Sequence, residues 1–387
     1  MIRIVQRVQS RILTVNEGKL LVERGKSSRP ITERLRGLIL PQNFPESVKQ
    51  PFYWRHCQWT MVEGYLGSVV SVFTTQSMLS AMLMSRGIEI DSTYLPYAAA
   101  TLNWVIKDGL GQLGGIVFVS LMSNRFDLHP KQFRFLSGFV LKLAMLVELF
   151  TPLFPQRFLL LAAIATAAKN VSWMACSASR APLLKSLGRG ENLGDLTGKA
   201  ASQLTITSML GMATGIGISE ALTLVWGKSD LVAYSMISVP LLALGTCALW
   251  LSCRWTISNR LHPRRIAELL REPVGPEEYA SRERIVSRNA FSHKLAGIVL
   301  DAPLSEHLVK NVDFSLLENN SLIQRVDGLV YAWLVEGGSD EEALNAIIKA
   351  ITLSDSCSNG KDLLEMGWSA DGLSQLFKNR LKVECHV

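Results

Sequence analysis

Long apolar runs, interrupted by short polar connections, dominate the chain from Trp59 to Cys253 and divide into blocks. These are about Trp59–Met84, Tyr94–Met122, Leu136–Phe154, Phe158–Ser179, Ala201–Trp226 and Leu231–Cys253. Each approaches or exceeds the roughly 20 residues that a tilted helix needs to cross a hydrocarbon core. The pattern predicts an all-α fold, an integral membrane helical bundle of about six spans. Gly64 and Gly67, Gly111-x-x-x-Gly115 and Gly211-x-x-x-Gly215 predict places where helices approach closely, because small residues let backbones meet. Pro240 predicts a kink in the last block.

The flanks read differently. Residues 1–45 are a polar, basic leader ending in Leu40-Pro41-Gln42-Asn43-Phe44-Pro45, an extended, proline-punctuated entry. Within it Arg3, Arg7 and Arg11 recur at i, i+4 among Ile4, Val5, Val8, Ile12 and Leu13, which predicts a basic helix, either a targeting segment or one lying on a membrane surface. After residue 255 the composition becomes ordinary, and a small C-terminal soluble helical tail is expected over 256–387. Ser339-Asp340-Glu341-Glu342 forms a capping box ahead of 343–353, and Pro276-Glu277-Glu278 has the composition of a helix start. No strand-like alternation of any length is read there. Three regions result: a leader at 1–45, a membrane domain at 46–255 and the tail.

Charge supports this division. Lys and Arg cluster before the first block (Arg34, Arg36, Lys49, Arg55) and after the second (Arg125, Lys131, Arg134). They recur after the fourth (Arg180, Lys185, Arg189, Lys199) and after the sixth (Arg254, Arg260, Arg264, Arg265), while the alternate connections are poor in them. That is the positive-inside pattern, and it puts both termini on one cytosol-like side. The basic excess flanks apolar runs and forms no stripe of its own. Anionic lipid headgroups are therefore the expected partner, and nucleic acid is not. The six cysteines form neither a CxxC pair nor a disulfide framework, and no metal site is read.

Glu63, Lys107, Asp108, Lys142, Glu148, Lys169 and Glu220 interrupt the apolar blocks. Ionisable groups at such depth either line a polar pocket or pair across helices to hold register, and the sequence leaves both readings open. Gly109-x-Gly111-x-x-Gly114 matches a dinucleotide fingerprint as a string but lacks the preceding strand, so helix packing is the better reading. The loop Leu187-Gly188-Arg189-Gly190-Glu191-Asn192-Leu193-Gly194-Asp195, continuing to Lys199, could cradle an anion at a helix start or serve as a flexible turn. No hydrolase or kinase motif is present, and no catalytic residue is assigned.

Several segments in order resemble the root UVB sensitive (RUS) family. They are Leu40-Pro-x-x-Phe-Pro45-x-Ser47-Val48; Thr101-Leu-Asn103-Trp-Val-Ile-Lys107-Asp108-Gly-x-Gly111-x-Leu-Gly114; Asp127 with Lys131-Gln132-x-Arg134; Glu148-Leu-x-x-Pro152; Lys169; and Asn192-x-Gly-Asp195-x-Thr-x-Lys199-x-x-Ser-Gln203. The similarity runs from about Leu40 to Cys253, with a weaker echo at Gly367-Trp368. It departs from longer members in its short leader and in Gly198. The resemblance implies a non-enzymatic integral membrane protein acting in UV-B and light-stress responses and vitamin B6 homeostasis, with a link to auxin-dependent development. It implies residence in an organelle, plastid or mitochondrion, and assembly with other family members. A linkage to pyridoxal phosphate follows from the resemblance alone, and no tightly bound cofactor is expected. Asn103, Lys107, Asp108, Glu148, Lys169, Asn192, Asp195, Lys199 and Gln203 form the candidate polar-pocket set. The alternative function is a carrier for a small anionic or cofactor-like solute, since charges beside a broken helix are ingredients of transport sites. An enzyme using Lys107 or Lys169 as a Schiff-base lysine ranks last, because no phosphate-binding strand–loop–helix surrounds either.

Overall fold

The computed structural model describes residues 4–24, 36–85, 105–120, 129–226, 231–283 and 297–381, with short gaps within them. Five helices are long and apolar enough to cross a membrane. They are α1 (Phe52–Ser85), α2 (Pro130–Phe150), α3 (Phe158–Leu187), α4 (Leu193–Trp226) and α5 (Leu231–Arg254). The second apolar block is helical wherever it is described, over 105–120, but Asn103 and Lys107 lie outside the described residues.

Helix α1 is the hub, packed on α2, α4 and α5, while α2 and α3 form a second intimate pair. The glycines explain how the helices come so close. A Cβ on Gly211 of α4 would stand 2.5 Å from the carbonyl oxygen of Tyr65, and one on Gly215 would stand 2.8 Å from that of Val69. Only glycine allows that backbone contact, as the spacing predicted. Gly111 and Gly115 play the same part against α3, where a Cβ would meet Thr166 at 2.6 Å and Met174 at 3.0 Å.

Side chains are distributed the opposite way from a water-exposed bundle. Leu160, Leu210, Met236 and Leu244 face outward from α3, α4 and α5. Glu63, Arg134, Lys142, Glu148, Gln203 and Ser219 face inward. In water, large apolar side chains would be buried and ionisable ones excluded from the core. This arrangement suits apolar surroundings, where the polar groups must satisfy one another within the protein.

The flanking regions correct two helical expectations. Residues Ile4–Val8, Arg11–Asn16 and Lys19–Arg24 form β1, β2 and β3, an antiparallel meander. Their β-branched content, with Ile4, Val5, Val8, Ile12, Thr14, Val15 and Val22, outweighs the i, i+4 spacing of the arginines. The C-terminal region is mixed rather than all-helical. Helices α6 (Pro263–Arg271) and α7 (Pro276–Arg282) precede a sheet ordered β4 (Ile298–Leu300), β6 (Leu329–Leu334), β5 (Ser321–Val326), with β4 parallel and β5 antiparallel to β6. Helix α8 (Asp340–Ser354) packs on that sheet.

The strands went unread because neither alternates: β6 is a nearly continuous apolar run, while β5 sets Leu322-Ile323 beside Gln324-Arg325. A signal was nevertheless present. Asp327-Gly328 joins β5 to β6 with φ of 49° and 80°, the doubly left-handed turn that an Asp-Gly pair favours. The capping box is as expected: Ser339 Oγ accepts from the Glu342 amide at 3.2 Å, and Glu342 accepts from the Ser339 amide at 2.6 Å.

Candidate functional site

Arg134 and Lys142 are eight residues apart on α2, slightly more than two turns, so both side chains leave the helix on the side facing α1. Glu63 of α1 meets them there. Its carboxylate accepts from Lys142 Nζ at 2.9 Å through one oxygen and pairs with the Arg134 guanidinium through the other. Lys142 also donates to the carbonyl of Gly138 at 3.3 Å. All three side chains are buried.

This cluster borders a cavity of about 170 Å³ between α1, α2, α3 and α4. The walls include the hydroxyls of Ser68, Ser71, Ser137 and Ser172 and the guanidinium of Arg180. At roughly 15 Å³ per water position it has room for about ten waters or one small solute. A smaller space of about 30 Å³ adjoins it toward His56 and Gln203, and Thr60, Arg134, Arg180 and Leu204 line both. The smaller space lies where α1 and α4 begin and α3 ends, at the basic end of the bundle. Arg180 is half-buried at the junction, and the described residues give it neither a hydrogen bond nor an ion pair.

The residues singled out from sequence take other places. Glu148 and Lys169 pair directly across α2 and α3, at 3.1 and 2.9 Å from the two carboxylate oxygens, away from the cavity. That is the register-holding role. Asn192 Nδ2 donates to the Ser47 carbonyl at 2.8 Å, and Asp195 accepts from the Gln42 amide at 2.7 Å. Lys199 donates to the Gly37 carbonyl, and Gln203 to that of Ile39 at 2.8 Å. These four residues, at the start of α4, fasten the entry segment 37–47 to the bundle. The glycine-rich loop is thus a clamp for the chain's own backbone. Among the described members of the candidate set, Gln203 alone also reaches the smaller space. Asp108 is half-buried, and Glu220 is exposed. Of the residues around the cavity, Glu63 and Lys142 were legible as buried charge, but Arg134 and Arg180 were read as loop charges beyond the span ends.

A second buried cluster ties the bundle to the C-terminal region. Glu283, just after α7, accepts from Lys131 of α2 at 2.9 Å and from Arg265 of α6 at 2.5 Å. Arg265 also donates to the Arg260 carbonyl at 2.5 Å and lies over the rings of Tyr279 (5.0 Å) and Trp368 (5.5 Å). Burial alone would raise the Glu283 pKa. The two adjacent cations, Arg265 and Lys131, outweigh it and hold the carboxyl down at about 2.

The class this defines is a bundle of helices long and apolar enough to cross a membrane, with ion pairs buried between them beside a cavity, joined to a mixed α/β region. Sequence comparison makes the assignment specific. A family profile described as "Vitamin B6 photo-protection and homoeostasis domain" matches residues 25–267, and the chain belongs to that family, the root UVB sensitive family. It is 34% identical to the root UVB sensitive 6 protein of Arabidopsis thaliana over 48% of this chain and 36% of that protein. It is 25% identical to root UVB sensitive 3 over 77% and 66%, and 28% identical to the chloroplastic root UVB sensitive 2 over 58% and 50%, both from the same plant. The matched part therefore spans between about a third and two thirds of these relatives. No solved structure matches the chain.

Proposed function

We propose that this is a non-enzymatic integral membrane protein whose bundle holds a small anionic solute in the cavity beside Glu63, Arg134 and Lys142. It serves vitamin B6 homeostasis and light-stress responses, with assembly among family members and residence in an organelle membrane such as that of the plastid. The family match supports the physiological part, and one relative is named chloroplastic. The cavity supports the carrier or receptor part, and it is the observation on which the reading rests. A largely apolar-walled space bordered by more cations than anions, between apolar helices, leaves positive charge without a counter-ion, which is costly unless something occupies it. A purely structural ion pair needs no such space, as Glu148–Lys169 illustrates.

The full chain reconstituted in liposomes tests this reading. Uptake or binding of pyridoxal 5′-phosphate or another small anion above protein-free vesicles is the expected result, and its absence across a panel of anions overturns it. The membrane component has its own test. Accessibility tags at Glu89 and Gly190 are expected on opposite faces, and finding both on one face overturns the six-span topology.

A further inference from the structure

Resting on the reading of the cavity as a solute site, we infer that Arg180 is the residue that engages the solute, and that the solute is a phosphate-type dianion. Charge matching and geometry carry this. Among the described residues lining the larger cavity, Arg134, Lys142 and Arg180 are cationic and Glu63 alone is anionic. The Glu63 carboxylate is fully engaged by Arg134 and Lys142, one oxygen each. A surplus of two positive charges therefore remains beside the space, one of them on Arg180. A phosphate monoester carries about −1.5 to −2 at neutral pH and offers three acceptor oxygens, so it matches the surplus where a simple carboxylate leaves one cation uncompensated.

The position of Arg180 fits the same role. It is the cation not committed to a protein partner among the described residues, and it sits where the two spaces join. A planar guanidinium there can bind two phosphate oxygens side by side, with Ser68 on the wall. The hydroxyls of Ser71, Ser137 and Ser172 donate to the carbonyls of Ser68, Arg134 and Ala168 within their own helices. The remaining polar wall, His56, is turned to the protein: its Nδ1 lies 3.1 Å from the Ser252 carbonyl and 3.0 Å from the Thr256 hydroxyl.

Calorimetric titration of the full chain in neutral phosphatidylcholine nanodiscs tests the inference, with inorganic phosphate, pyridoxal 5′-phosphate and acetate as probes. A parallel set of discs carries phosphatidic acid, whose headgroup presents the same chemistry from the bilayer. The expected result is binding of both phosphates in preference to acetate, weakened about tenfold or more in Arg180→Gln and partly restored in Arg180→Lys. Lys185→Gln, which alters an exposed cation outside both spaces, is expected to bind like the wild type. Competition of phosphatidic acid with the soluble probes would assign the same phosphate site to a lipid headgroup. Equal binding of acetate, or phosphate binding indifferent to Arg180→Gln in a variant that melts like the wild type, overturns the inference and leaves the cavity a solute site. Failure of every anion to bind the wild type overturns the cavity reading itself.

Discussion

Glu63 and Glu283 are each a buried carboxylate held between one arginine and one lysine, and their surroundings diverge from there. Around Glu283 the surplus of two cations over one carboxylate is spread, through Arg265, over the faces of Tyr279 and Trp368 and onto the Arg260 carbonyl. The cluster acts as a bolt between α2, α6 and the end of α7. Around Glu63 the surplus charge faces an open space, with Arg180 adding another cation. The same ion-pair chemistry thus serves closure in one place and, in the proposed reading, solute binding in the other. The distinguishing quantity is what the leftover positive charge meets, not the strength of the pair.

The sharpest test is removal of each carboxylate. Glu63→Gln strands Arg134 and Lys142 and is expected to destabilise the protein by about 3–5 kcal/mol, read as a lowered melting temperature in detergent. Added phosphate is expected to recover part of that loss, since an anion can take the carboxylate's place. Glu283→Gln is expected to cost a similar amount, about 3–5 kcal/mol, with no recovery by phosphate. Equal rescue of both variants would erase the contrast between the clusters.

Acid provides a graded version of the second test. The Glu283 pKa is depressed from 4.5 to about 2 in the folded protein. Its stabilising contribution, of the order of 3 kcal/mol, is present above about pH 4.5 and is lost as pH falls toward 2. Proteolysis or hydrogen exchange in the C-terminal region, followed across that window, is expected to rise first at the junction with the bundle, and Glu283→Gln is expected to flatten the response.

Smaller effects separate packing from charge. Gly211→Ala drives a Cβ onto the Tyr65 carbonyl, which cannot rotate away, and is expected to cost about 1–3 kcal/mol in thermal stability. Phosphate should leave that loss unchanged unless the α1–α4 contact also shapes the cavity wall. Ser339→Ala removes the cap of α8 and is expected to cost about 1 kcal/mol in the C-terminal region, with the bundle untouched. A solute-binding change in this variant would mean that the two regions are coupled more tightly than the Glu283 bolt alone provides.

Much of the fold was legible in the chain. Apolar run length marked α1 to α5, because spanning length and composition are local properties. The Gly211-x-x-x-Gly215 spacing marked a site of close helix approach without naming its partner α1, and the Ser339–Glu342 box named the start of α8, since both signals rely on residues a few positions apart. The β5–β6 hairpin carried its Asp-Gly signal but was masked because neither strand alternates, β6 being almost wholly apolar and β5 pairing two apolar residues with two polar ones. The meander at the N-terminus was hidden by an arginine spacing that suits a helix equally well.

The site lay beyond local pattern. Glu63 and Lys142 showed themselves as charges within apolar runs, but their partnership spans 79 positions. Arg134 and Arg180 belonged by sequence to the basic loops that set topology. The packing of α1, α2, α3 and α4 brings both to the cavity while Lys169 is neutralised by Glu148. Asn192, Asp195, Lys199 and Gln203 likewise proved to hold the chain's own entry segment. Sequence by itself determined which residues are apolar, which break the runs, and how long each helix is, because these depend on composition and short-range spacing. Tertiary structure decided which buried charges neutralise one another and which remain available, because that balance depends on distances between helices far apart in the chain.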